Sequence, residues 1–93
     1  MIRSFADKRT QAIFDEIVPK GVSRPVAGAA FRKLLLIHAA HVLDDLRSPP
    51  GNRLEALKGE RKGQHSIRVN DQWRICLRWR GGDAHDVELI DYH

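Results

Sequence analysis

Cysteine is nearly absent from this 93-residue chain, Cys76 being the only one. An internal disulfide is therefore excluded, and a reducing compartment suits the sequence. Cys76 falls in mid-strand with no base placed beside it, so a packing residue is expected there rather than a nucleophile. No apolar run approaches the roughly 20 residues that a membrane-spanning helix needs. The opening MIRSFADKRT has no signal-peptide core, so a cytoplasmic protein without membrane contact is expected. The glycine-rich phosphate loop that ends in Gly-Lys-Ser/Thr is missing, which leaves nucleotide hydrolysis unsupported. His38 and His41 stand three apart, but no acidic or cysteine partner completes a metal site, and His38 reads as a residue at the core edge. There are no repeats, linkers or low-complexity stretches. One domain over residues 1–93 is expected, with room for a single core.

What the chain does have is a run from Gln64 to Arg80 in which apolar and polar residues alternate. Ile67 and Val69 alternate with Ser66, Arg68 and Asn70; Trp73, Ile75, Leu77 and Trp79 alternate with Arg74, Cys76, Arg78 and Arg80. A period of two marks a half-buried strand, so this is a hairpin with one oily and one arginine face. A two-residue loop would pair Arg68 with Trp73 and push an arginine into the core. A three-residue loop, Asn70-Asp71-Gln72, pairs Ile67 with Ile75 and Arg68 with Arg74, and burial selects it. Two arginines directly opposite one another are unfavourable without an anion between them. Either that face is simply solvated, or it holds a phosphate.

Ahead of the hairpin, Ile2 to Phe5 alternates like a short first strand. Asp7 caps a helix expected to run through Ile13, Phe14, Ile17 and Val18 until Pro19 and Gly21 stop it. A second helix starts at Ser23 or Arg24, tolerates Pro25 in its first turn, and meets no breaker other than Gly28 before about Leu46. Phe31, Leu34, Leu35, His38, Val42 and Leu46 form its expected buried stripe. Asp44 and Asp45 then fall near its C-terminal end, where negative charge is unfavourable. Ser48-Pro49-Pro50-Gly51 is a hard break, and Leu54, Ala56 and Leu57 suggest a short strand before an exposed turn at Glu60-Arg61-Lys62. A Gly81-Gly82 turn leads into a last strand, His85 to Tyr92. One register allowed by the oily faces sets Tyr92 opposite Arg74 and Glu88 opposite Arg78. The order is β-α-α-β-β-β: an α+β fold, an antiparallel sheet with an N-terminal helical hairpin on its oily face.

Charge is unevenly spread. Residues 53–80 hold eight Lys or Arg against three Asp or Glu, whereas residues 81–93 hold four acids and no Lys or Arg. A concentrated positive segment attracts polyanions. Arg68 and Arg74, with Tyr92 and His93, could gather at one RNA linkage. The arginines would stabilise charge at the phosphorus, His93 or Tyr92 would move protons, and Tyr92 could stack on a base. The plainer alternatives are a solvated arginine face and a loose chain end.

The stretch PPGNRLEALKGERKGQHSIRVNDQWRICLRW, followed by VELIDYH, closely resembles the HigB, or plasmid-maintenance-killer, branch of the RelE/ParE toxins. The resemblance covers about residues 49–93; the N-terminal helices fit in layout. It implies a RelE-like fold and the toxin of a type II toxin-antitoxin module, a metal-independent endoribonuclease that enters the ribosomal 30S A site and cuts translated mRNA. A HigA-like helix-turn-helix antitoxin is implied as partner, with operator DNA reached only through it; no cofactor or metal is implied. By the same resemblance Arg68 and Arg74 hold the scissile phosphate, and Asp91, Tyr92 and His93 form the catalytic cluster. Arg53, Lys58, Lys62, His65 and Arg78 become RNA contacts, His65 standing where relatives carry an aromatic. Two alternatives share the scaffold: a ParE-like gyrase inhibitor without nuclease chemistry, and a non-enzymatic RNA-binding module.

Overall fold

A computed structural model of the chain describes residues 1–92; His93 lies outside the described residues. Helix α1 spans Lys8–Phe14 and helix α2 Arg24–Ala39. Strands β1 (Glu55–Ala56), β2 (His65–Arg68), β3 (Trp73–Arg80) and β4 (Asp83–Asp91) form one antiparallel sheet in that order. No described helix is long and apolar enough to cross a membrane.

Both helices begin where side-chain caps satisfy their free N–H groups. Asp7 Oδ1 accepts from Thr10 N at 2.9 Å and Ser23 Oγ from Val26 N at 3.3 Å. Each helix is shorter than the sequence suggests. α1 stops at Phe14 because Glu16 turns into the left-handed region at φ +64°, leaving Ile17 and Val18 exposed rather than on the helix face. α2 stops at Ala39 without help from proline or glycine. The Asp45 carboxylate accepts from His41 N and Val42 N at 2.8 and 3.2 Å, starting a separate 3-10 turn, Leu43–Arg47. Asp44 and Asp45 thus sit at the favourable start of one helix and not at the wrong end of another. These hydrogen bonds hold the Asp45 carboxyl below its usual range. The buried stripe of α2 is Ala27, Ala30, Leu34 and Ile37, while Leu35 is exposed on the helix and Val42 exposed beyond it.

That stripe, with Ile13, packs on the oily sheet face made by Ile67, Ile75, Leu77, Val87 and Leu89. Burying a side chain of this size stabilises by roughly 1.5–3 kcal/mol, so this layer dominates the fold. His38 sits at the edge: its Nδ1 accepts from Ile2 N at 3.1 Å and its ring meets Phe14 at 5.3 Å.

The hairpin has the expected three-residue loop. Ile67 pairs with Ile75 and Arg68 with Arg74. Asn70 Oδ1 accepts from both Gln72 N and Trp73 N at 2.8 Å, an Asx turn that fixes the loop. The β3–β4 register differs from the one expected. Gly81 and Gly82, at φ +58° and +79°, form a two-residue turn that pairs Arg80 with Asp83. That offset alone would turn Val87 and Leu89 away from the core. A bulge between Cys76 and Arg78, with Asp86 at φ +53°, inserts the extra residue that restores parity. Glu88 therefore pairs with Cys76 and Ile90 with Arg74, and Arg78 faces His85.

Residues 2–5 do not form a full strand. They bridge to β4 in parallel at Ile2–Ala84 and Phe5–Val87. Further along β4, Leu89 N donates to Thr10 Oγ1 at 2.9 Å and Leu89 O accepts from Arg9 Nη2 at 2.7 Å. The outer margin of β4 is thereby closed by the N-terminal segment and α1.

Candidate active site

The sheet face turned away from the helices carries Ser66 and Arg68 of β2, Arg74, Cys76 and Arg78 of β3, and Glu88 and Ile90 of β4. Arg74 is its centre. Although charged, it is only 9% exposed, and its Nε and Nη2 donors are held by its neighbours. Nε donates to Ser66 Oγ at 2.8 Å, and Nη2 donates to Arg53 O at 2.7 Å and to Ser66 O at 3.4 Å. Glu55 lies 3.9 Å from Nη2. The Tyr92 ring centre is 5.8 Å from the guanidinium carbon, within cation–π range. Tyr92 is diagonal to Arg74 and not opposite it, because Ile90 takes the opposite place.

The Arg53 carbonyl is aimed at Arg74 by the Pro-Pro-Gly-Asn break. Pro50–Asn52 forms a 3-10 turn and Arg53 ends it at φ +46°. Asn52 is fully buried. Its Nδ2 donates to Leu46 O at 3.1 Å and Ser48 O at 3.2 Å, and its Oδ1 accepts from Lys33 Nζ at 2.5 Å. Burial, then the positive charges of Arg32 and Arg68, lower the Lys33 pKa. Asn52, Ser66 and Lys33 were not among the residues singled out from the sequence. The signal available was parity, since Ser66 lies on the arginine side of β2; a buried asparagine after two prolines leaves no such trace.

Beside Tyr92 a groove of about 490 Å³ is lined by residues 55–58, Glu60 and Arg61. Lys58 lies in this groove. Arg61, from the turn before β2, meets Glu88 at 3.2 Å. Arg78 meets Asp86 at 3.7 Å. Gly63 has φ +93°, a backbone conformation that favours glycine, and a Cβ there would lie 3.0 Å from the movable end of Arg78, at Nη1. Arg68 is tied to Asp71 of the hairpin loop. Cys76 is buried beneath this face, and burial raises its thiol pKa.

Two residues assigned to the site from the sequence fall on the other parity. His65 pairs with Leu77 and shares the side of Ile67, with its Nδ1 buried and unpartnered among the described residues. Asp91 pairs with Trp73, and its carboxylate accepts from Gln72 Nε2 at 3.1 Å. Tyr92 N also donates to Gln72 O at 2.6 Å, so the end of β4 is strapped to the hairpin loop. Arg53 and Lys62 are exposed, outside the groove lining. His93 lies outside the described residues. Among those described, no cluster of three or more His, Cys, Asp or Glu is arranged to hold a metal ion.

Two helices packed on one face of a small four-stranded antiparallel sheet make an α+β fold consistent with a RelE-like toxin. Residues 3–93 match the family described as RelE-like toxin of type II toxin-antitoxin system HigB, and the chain belongs to it. It is 39% identical over 94 residues to Toxin HigB-1 of Vibrio cholerae, covering 96% of this chain and 95% of that protein. It is 33% identical over 93 residues to Endoribonuclease HigB of Proteus vulgaris, covering all of both. Membership of a type II toxin-antitoxin family implies an antitoxin as partner.

Proposed function

We propose that this toxin is a metal-independent endoribonuclease that cleaves mRNA in the ribosomal 30S A site, in the cytoplasm. A HigA-like helix-turn-helix antitoxin neutralises it, and operator DNA is reached only through that antitoxin. The observation that carries the reading is the state of Arg74. Burying a guanidinium is costly unless its donors are paired, and here the pairing leaves one end of it, Nη1, without a hydrogen bond to any described residue. A preorganised donor of this kind stabilises negative charge that develops on a phosphate during reaction. The name of the Proteus vulgaris relative supports the same activity.

The reaction follows from what RNA offers. The 2′-oxygen attacks its own phosphorus, the bond to the 5′-oxygen breaks, and a 2′,3′-cyclic phosphate and a 5′-hydroxyl result. Arg74, with Arg68 beside it, stabilises the phosphorane. Tyr92 stacks on or orients the adjoining nucleotide, and His93 transfers protons. Asp91 holds the end of β4 against Gln72. Lys58, Arg53, Lys62 and Arg78 contact backbone phosphates. His65, on the opposite parity, has the weakest claim to an RNA contact.

Mapping RNA 5′ ends after induction, with and without active translation, tests the proposal. In-frame cuts on translated messages are expected, and they should vanish when Tyr92-His93 is deleted while antitoxin binding survives. Growth arrest with intact messages, retained by the deletion, would favour gyrase inhibition and overturn the nuclease reading.

A further inference from the structure

We propose that Ser66 is a positioning residue for Arg74: it dictates which end of the guanidinium meets the scissile phosphate. This rests on the endoribonuclease reading. Guanidinium is planar, and its five N–H donors point in fixed directions. It can meet a phosphate through the side-on pair formed by Nε and one terminal nitrogen, or through its end. In this structure the side-on pair is occupied. Nε donates to Ser66 Oγ at 2.8 Å, and Nη2 reaches Ser66 O at 3.4 Å and Arg53 O at 2.7 Å. Of its donors, only those on Nη1 have no hydrogen bond to a described residue, and these are the ones offered to RNA.

Ser66 is well placed for this role. It is fully buried in β2, between Glu55 of β1 and Cys76 of β3, so its hydroxyl has little freedom. A competitor stands close by. The Glu55 carboxylate is 3.9 Å from Arg74 Nη2 and half-exposed. Without the serine hydroxyl, Nε loses its acceptor, and the nearest strong acceptor for a turned guanidinium is Glu55. The serine thus keeps the arginine from closing on an acid of its own chain.

The test compares wild type, Ser66→Ala, Ser66→Thr, Arg74→Ala and the Ser66→Ala/Arg74→Ala double variant in single-turnover cleavage on programmed ribosomes. Thermal melting and ribosome half-saturation are measured in parallel. Ser66→Ala is expected to slow cleavage by about tenfold or more with half-saturation little changed, the signature of an interaction felt in the transition state. Ser66→Thr keeps the hydroxyl and should recover most of the rate. The double variant should be no slower than Arg74→Ala alone, because the serine acts only through the arginine. Overturning results are a wild-type rate in Ser66→Ala, an equal loss in Ser66→Thr at wild-type melting temperature, or a further loss on top of Arg74→Ala. Wild-type protein that cleaves nothing would instead bring down the endoribonuclease reading itself, so the two failures are distinct.

Discussion

Arg68 and Arg74 face each other directly across β2 and β3, yet their guanidinium groups leave in different directions. Arg68 turns to Asp71 in the hairpin loop, while Arg74 turns inward to Ser66 and the Arg53 carbonyl. Turning apart in this way separates two like charges that the register sets opposite one another. The two arginines are consequently not equivalent: one is partly exposed and paired to a loop acid, the other buried and hydrogen-bonded to neutral acceptors, with the Glu55 carboxylate further off at 3.9 Å.

Arg74→Ala should slow single-turnover cleavage by at least ~100-fold, the usual cost of losing one transition-state donor. Arg74→Lys should be nearly as poor, since an ammonium cannot reach Ser66 and Arg53 while presenting a further fixed donor. Arg68→Lys keeps a positive charge at an accessible position and should cost under about tenfold. Equal losses for the two lysine variants would contradict the asymmetry.

Asn52→Ala should destabilise the fold by roughly 2–4 kcal/mol in urea or thermal unfolding. It strands the buried Leu46 carbonyl, breaks the part-buried bond to Ser48 O and removes the acceptor of Lys33. Because Arg53 O is the next link, the variant should also lose cleavage in excess of its lost folded fraction. A change below about 0.5 kcal/mol, the size of an ordinary surface substitution, would rule out the clamp.

The Asp83 carboxyl is held below the ordinary aspartate value of 3.8, first by the Arg3 hydrogen bond and further by the terminal ammonium. A depressed folded pKa gives stability that is present above the unfolded value and is lost as pH falls through the folded one. Melting temperature should therefore drop on acidification below about pH 4, and Asp83→Asn should flatten that acid limb. An unchanged acid limb in the variant would remove the tether from the account.

Cys76 is buried and its thiol pKa is raised, so the thiolate is scarce near neutrality. Native protein should resist a water-soluble disulfide reagent and release one equivalent only on unfolding. Reaction at the rate of free cysteine would show that β3 opens readily.

Much of the hairpin was legible because parity leaves burial only one register that keeps arginine out of the core, and Ile67–Ile75 and Arg68–Arg74 obey it. The β3–β4 register was not legible. Matching oily faces allows several even shifts, and the choice was made by a two-residue glycine turn corrected by a bulge at Asp86. The end of α2 was hidden too, since residues 40–46 hold neither proline nor glycine and the stop comes from the Asp45 carboxylate capping backbone. His65 shares the parity of Ile67, a relation that the resemblance by itself does not convey. Tyr92 beside Arg74 was foreseen as a shared face; the serine and the carbonyl that aim Arg74 were not, because they act through one another across three segments far apart in the chain.

The closed margin of β4 limits how anything can attach to this molecule. Its backbone groups at Ala84, Val87 and Leu89 are already taken by residues 1–6 and by Arg9 and Thr10, and at the far side β1 is only two residues long. A partner, or a second copy at high concentration, finds almost no unpaired strand to lengthen. Association must then be read through side chains, and the sheet itself is guarded against the strand-by-strand stacking that leads to fibres.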